Sequence, residues 1–189
     1  MHRRTFIALA GSALAACPAF AAPRKYVLDQ KNSIVGFTYQ MNGNPVNGRM
    51  PVKSADIILD VDRPSASQVS AEINAARANA GPFYATQAMK SSSVLNTTRF
   101  PTIRFQSDEI TGTVQSARMT GQLTVRDITE EIELDTVLYR QRGTEKGDRR
   151  KLSILMTGQI DRRRFGAGGF PTIVAPTIRL QILTRITLA

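Results

Sequence analysis

The stretch Ile178-Arg179-Leu180-Gln181-Ile182-Leu183-Thr184-Arg185-Ile186-Thr187-Leu188 decides the fold class. Ile178, Leu180, Ile182, Ile186 and Leu188 fall on every second position, with Arg179, Gln181, Arg185 and Thr187 between them. A period of two marks a strand with one apolar and one solvated face, because successive side chains leave a pleated strand on opposite sides. The same period runs backward through the chain. Leu152, Ile154, Met156 and Gly158 repeat it, and Ile132, Leu134 and Thr136 alternate with Glu131, Glu133 and Asp135. Met119, Gly121, Leu123 and Val125 carry it, as do Ile110, Gly112 and Val114 after a separate short run with Ile103 and Phe105. Val69, Ala71 and Ile73, then Ile57, Leu59 and Val61, then Val35, Phe37 and Tyr39 complete the series.

The links are short and rich in turn formers, as in Met41-Asn42-Gly43-Asn44-Pro45 and Asp62-Arg63-Pro64-Ser65. Consecutive strands joined this way pair antiparallel, and eight or more in one unit predict a barrel or sandwich. Residues 81–100 break the alternation. There Tyr84, Ala88 and Met89 share a face at helical spacing. This segment is expected to form one or two helical turns, near residues 83–96, lying as a flap across an open barrel end or plugging the core.

The chain begins Met1-His2-Arg3-Arg4, followed by an apolar run over residues 5–16 and the tripeptide Ala19-Phe20-Ala21. A basic start, an apolar stretch too short to span a bilayer and an Ala-x-Ala ending read as a signal peptide over residues 1–21. Arg3-Arg4-Thr5-Phe6-Ile7 looks like a twin-arginine signal, and an ordinary basic start fits as well. Export to the periplasm is expected, with cleavage after Ala21 favoured. The tetrad Leu14-Ala15-Ala16-Cys17 offers the alternative of a lipoprotein anchored through Cys17. Residues 22–189 then form one domain, and nucleic acid is not among the expected partners.

Composition excludes whole classes of chemistry. The single His (His2) and the single Cys (Cys17) both lie in the segment read as a signal peptide. Residues 22–189 contain no imidazole base, no thiol nucleophile and no His or Cys metal ligand, so no metal site is expected. Catalysis would fall to carboxylates such as Asp29 and Asp161, with no paired-carboxylate motif to support it. No catalytic residue is assigned. The full chain carries a formal charge of +10, and residues 22–189 retain +8. That charge suits an anionic membrane surface or a phosphate-bearing ligand, and equally suits solubility. Asp161 and Arg164 are expected to pair locally, and Gly166-Ala167-Gly168-Gly169 reads as a hairpin loop.

Four motifs occur in order: Tyr26-x-Leu28-Asp29-x-x-x-Ser33-x-x-x-Phe37, Phe100-Pro101-Thr102-Ile103-Arg104-Phe105, Gly121-Gln122-Leu123-Thr124-Val125-Arg126-Asp127-Ile128-Thr129, and Ile160-Asp161-Arg162-Arg163-Arg164-Phe165-Gly166. Their order and spacing resemble the YceI-like family of exported polyisoprenoid-binding proteins, over nearly all of residues 26–189. The resemblance implies a lipocalin-like antiparallel β-barrel of about eight strands whose apolar cavity holds an isoprenoid. A quinone tail or a polyprenyl phosphate is the expected cargo, with no cofactor required. The chain departs from the family's pattern at Arg49-Met50, at Gln87, Met89, Lys90 and Ser91 in the flap, and at Asp127 and Glu130-Glu131. These departures bear on the ligand rather than the fold.

The expected cavity lining is Phe37, Tyr39, Phe83, Tyr84, Met89, Leu95, Phe100, Phe105, Leu123, Met156 and Phe165, each of which also fits plain core packing. Gly36, Gly112, Gly121 and Gly158 are expected to leave room for the ligand. Arg126, Lys90, Arg104 and Arg162 are the candidates for its head group. Three functions remain in view. The leading one is a lipid carrier for transport or storage. The second is a basic interaction module for anionic lipid or a membrane redox partner, and the third a carboxylate-dependent enzyme. Monomer and homodimer both fit, the latter through an exposed last strand.

Overall fold

The computed structural model describes residues 22–145 and 147–189; the segment read as a signal peptide, Cys17 included, lies outside them. The strands are β1 (Arg24–Leu28), β2 (Ile34–Met41), β3 (Asn44–Leu59), β4 (Gln68–Asn74), β5 (Thr102–Thr113), β6 (Ser116–Val125), β7 (Ile128–Arg140), β8 (Lys151–Asp161) and β9 (Val174–Leu188), with one helix, α1 (Phe83–Lys90), between β4 and β5. Every pairing is antiparallel, and the order β3-β2-β9-β8-β7-β6-β5-β4 closes on itself through β4 and β3. The result is an all-β, lipocalin-like barrel of eight staves.

Two strands share one stave. β2 lies between β3 and β9 over the first half of the wall, with Phe37 opposite Gly48 and Leu180. β1 takes the same place in the second half, with Tyr26 opposite Ile57 and Leu188. The break between them is a single 3-10 turn, Gln30–Asn32, capped by the Asp29 carboxylate, which accepts from the Asn32 amide at 3.3 Å and its side chain at 2.7 Å. The Asp29 amide donates to Arg185 O at 2.8 Å, and the Arg185 amide donates to Ser33 Oγ at 2.9 Å. The Asp29-x-x-x-Ser33 motif thus stitches a kinked stave to β9 and supplies hydrogen bonds the ladder loses there.

The runs containing Ile103 and Ile110 are one strand. Asp108 is the extra residue of a bulge in β5, which moves the inward set from Ile103, Phe105 and Ser107 to Ile110. A comparable shift at Lys53 in β3 carries the inward set from Met50 and Val52 to Ile57 and Leu59. The Asn42-Gly43 hairpin has φ of 51° and 78°, the pair of left-handed residues that matches strand twist in a two-residue turn.

The barrel ends differ. At one end lie residues 60–67, residues 141–145 and 147–150, and the start of β1. At the other, two long connections, residues 75–101 with α1 and residues 162–173 with a 3-10 turn at Arg162–Phe165, fold over the opening as a lid. The lid halves are joined where the Gly169 amide donates to Ser93 O at 2.9 Å. β9 is hydrogen-bonded on both sides, so it is not the exposed edge expected for dimer pairing.

Candidate functional site

The inward faces of the staves do not meet. They enclose a cavity of about 240 Å³ that runs from the lid to the opposite end of the barrel. Its wall is the even-spaced apolar set of the strands, from Val35 and Phe37 on β2 to Ile178, Leu180 and Ile182 on β9. Among the described residues its only charged wall groups are Asp60, just beyond β3, and Arg162, just beyond β8. They sit at opposite ends of the tube.

Both charges are engaged. Asp60 is 3 % exposed, and its carboxylate accepts from the amides of Asp62 at 3.0 Å and Arg63 at 2.9 Å and from Arg63 Nε at 3.2 Å. Burial opposes its ionisation, yet these donors together hold its pKa below the usual carboxylate range. It fixes a turn and stays charged, so it is a poor proton acceptor. Arg162 is 7 % exposed and donates only to backbone carbonyls: Nε to Ala175 at 3.1 Å, Nη1 to Ala167 and to Gly169 at 2.7 Å, and Nη2 to Val174 at 2.7 Å. Burial lowers its pKa. Four of its five N–H groups are therefore committed to folding residues 162–175, which leaves one for a ligand.

Seven of the eleven residues expected to line the cavity do so: Phe37, Met89, Leu95, Phe105, Leu123, Met156 and Phe165. Four do not. Phe83 and Tyr84 are 79 % and 65 % exposed, because α1 turns Ala85 and Met89 inward rather than the Tyr84 face. Tyr39 is buried beside the cavity, its ring 6.3 Å from that of Phe37 and its hydroxyl donating to Ala80 O at 2.8 Å, which ties the lid to β2. Phe100 lies outside the wall, with the guanidinium carbons of Arg99 and Arg126 at 5.0 and 5.9 Å from its ring centroid. Residues passed over in favour of aromatics, such as Met50, Ile110, Met119, Ile132 and Val94, belong to the wall. Strand alternation already pointed to most of them.

The glycines do not leave ligand space. A Cβ on Gly121 would stand 2.7 Å from Cζ of Phe105, and one on Gly158 would stand 2.8 Å from Leu134 Cδ2. Gly36 and Gly112 face neighbouring backbone, at 2.7 Å from Gln181 O and 2.4 Å from Ser116 O. They make room for adjacent chain, and the cavity arises from barrel size instead.

Of the head-group candidates, Arg104 is misplaced: it points outward from β5 to Glu72, 3.5 Å away. Lys90 ends α1 at the lid. Arg126 binds both lid halves, Nη1 donating to Val94 O at 3.2 Å and Gly166 O at 2.7 Å, from a backbone with φ of 60°. Its Nε is buried without an acceptor. Asp161 pairs with Arg163 at 2.6 Å rather than with Arg164, which reaches Glu130 instead. The Asp161 carboxylate also accepts from the Arg163 amide, capping the 3-10 turn. Asp29 and Asp161 thus both serve turns, and neither faces the cavity.

The YceI-like domain family matches residues 26–186. A UPF0312 protein of Pseudomonas aeruginosa is 29% identical over 144 residues, which is 75% of this chain and 75% of that protein. Among solved structures, Burkholderia cenocepacia BcnA superposes with a TM-score of 0.73 at 16% identity, over 84% of this chain and 98% of that one. A Campylobacter jejuni YCEI protein gives 0.61 at 19% identity, over 75% and 84%. A polyisoprenoid binding domain from Saccharophagus degradans implicated in plant cell wall breakdown gives 0.62 at 9% identity, over 88% and 99%. The last three establish the likeness of fold. With an eight-stave barrel, an apolar bore and a match over residues 26–186, the chain belongs to the YceI-like domain family.

Proposed function

We propose that this chain is an exported, non-catalytic carrier that holds a long isoprenoid lipid in its barrel, for transport or storage. The observation that carries the reading is the cavity itself. An apolar void of about 240 Å³ would, by the scale measured for buried voids, cost on the order of 5 kcal/mol if left empty. An apolar occupant offsets that cost, each buried CH2-sized group contributing about 0.8 kcal/mol before ordering losses. A slim, branched, flexible chain suits a tube walled by Met, Leu, Ile and Phe side chains. The polyisoprenoid binding domain of Saccharophagus degradans shares the fold and supports this cargo class.

The charges at the two ends orient the cargo. Asp60 disfavours an anionic or electron-rich head, whereas the lid end offers the remaining N–H of Arg162. A quinone or polyprenyl phosphate head therefore lies under the lid, its tail running toward Asp60. The N-terminal segment supports periplasmic residence after cleavage at Ala21, with a Cys17 lipid anchor as the alternative. The enzyme reading gains no support, since the one carboxylate of the wall is hydrogen-bonded and ionised.

A cavity plug tests this. Ala71 on β4 lines the bore opposite Phe105, and Ala71→Phe fills space without disturbing a hydrogen bond. Titration with ubiquinone and with undecaprenyl phosphate is expected to show uptake by the parent chain and at least about tenfold weaker uptake by the plugged one. Equal uptake by both would place the lipid elsewhere, and none by the parent would end the reading.

A further inference from the structure

The lid has a second face. Its inner side presents Met89, Val94, Leu95 and Phe165 to the bore. Its outer side displays Phe83 at 79 %, Tyr84 at 65 %, Phe170 at 42 % and Ile173 at 43 % exposure. These are four of the six large apolar side chains left exposed among the described residues. Both connections are tied to β2 and its hairpin: the Asn42 amide donates to Ile173 O at 2.8 Å, and the segment leading into α1 is held by Tyr39 through Ala80 O at 2.8 Å. Phe170 has a left-handed backbone with φ of 57°, a conformation unfavourable for a bulky residue, and is left partly exposed.

Charge is segregated in the same place. Residues 75–101 and 162–173 together contain Arg77, Lys90, Arg99, Arg162, Arg163 and Arg164, and no Asp or Glu. Arg163 and Arg164 are paired with acids of the barrel wall, while Arg77, Lys90 and Arg99 have no carboxylate partner among the described residues. The opposite end interleaves acids with its bases: Asp62 pairs with Arg149 at 2.7 Å and Asp148 with Arg150 at 2.9 Å. Exposed aromatics and cations without carboxylate partners, carried on the same two connections, are the chemistry of an interface with anionic lipid, aromatic rings entering the head-group layer and cations remaining at its surface.

We infer that the outer face of the lid docks on an anionic membrane surface, so that the cargo-bearing end of the barrel meets the bilayer. The site through which cargo would pass rests on the carrier reading, but the docking itself does not. A second copy is a poor occupant, because two lids face to face would oppose their unpaired cations.

The test uses the chain from Ala22 onward, which contains the whole barrel, and vesicles of phosphatidylglycerol with phosphatidylcholine against phosphatidylcholine alone. Sedimentation is expected to show binding to the anionic vesicles only, weakened by salt. Phe83→Ser, Tyr84→Ser and Phe170→Ser combined should lower it about tenfold or more, and Arg77→Gln, Lys90→Gln and Arg99→Gln about fivefold per cation. Val27→Ser with Tyr139→Ser, exposed positions away from the lid, should leave it unchanged, and thermal melts check that each variant is folded. Absence of binding to anionic vesicles, equal loss in the Val27/Tyr139 variant, or vesicle-free dimerisation abolished by the lid substitutions would overturn the inference. Uptake of ubiquinone measured without vesicles separates the two readings: its loss in the parent chain with vesicle binding intact removes the carrier and leaves the docking face.

Discussion

The ring of Phe37 lies against Gly48, its partner across β2 and β3, so closely that a Cβ at 48 would stand 2.1 Å from Cζ of Phe37. The same Cβ would stand 2.8 Å from Asn79 O on the lid connection. Three parts of the protein therefore meet at one missing side chain: the wall, an aromatic of the bore, and the approach to the lid. Gly48→Ala is expected to lower stability by about 1–3 kcal/mol in urea unfolding. Phe37→Leu in the same chain should recover only part, since the Asn79 carbonyl remains in the way.

Arg162 holds residues 162–175 through carbonyls rather than through a carboxylate. Arg162→Met should cost roughly 3 kcal/mol, because removing the donor orphans buried acceptors. Arg162→Lys should recover little of this, as one ammonium cannot span four carbonyls arranged around a planar fork. Full recovery by Lys in chemical denaturation would contradict the assignment.

Arg126 joins both lid halves to the β6–β7 turn. Arg126→Ala should leave the barrel amides protected and raise hydrogen exchange at Gly169, whose amide bonds Ser93 across the lid seam. Uniform loss of protection over the whole chain would show that the contact supports the fold at large rather than the lid.

Acid acts on the lid as well. Hydrogen bonds from the Arg163 side chain and amide hold the Asp161 carboxyl at about 2, below the roughly 3.9 of an unfolded chain. A depressed folded pKa gives stability that is full above the unfolded value and fades as pH falls through the folded one. Asp161→Asn should therefore be less stable than the parent at pH 7, with the difference closing between about pH 4 and pH 2. A difference independent of pH would assign the loss to the turn cap alone.

Most of the wall was legible because a period of two survives any tertiary context that buries one face. The phase changes at Lys53 and Asp108 were not legible as bulges: in sequence, the parity jump from Phe105 to Ile110 reads as a new strand. The lid was legible as a break in alternation, but which helix face turns inward depends on how Pro82 and the Tyr39 hydroxyl set the start of α1. Tyr84 and Ala85 are neighbours, and a rotation of about 100° exchanges their roles. Aromatic residues were weighted too heavily as lining, since Phe83, Tyr84 and Phe100 carry as much apolar area as Phe105 yet lie outside the bore. The partners of Arg162 are backbone carbonyls up to thirteen residues away, which no residue type announces.

The most direct test of the central claim is native mass spectrometry of the protein purified from the cells that make it, paired with an organic extract of the same sample. The carrier account predicts a mass excess that persists on the folded chain, disappears on unfolding, and matches an isoprenoid recovered in the extract. A folded chain at its bare mass, with no isoprenoid extracted and none taken up on addition, would contradict it.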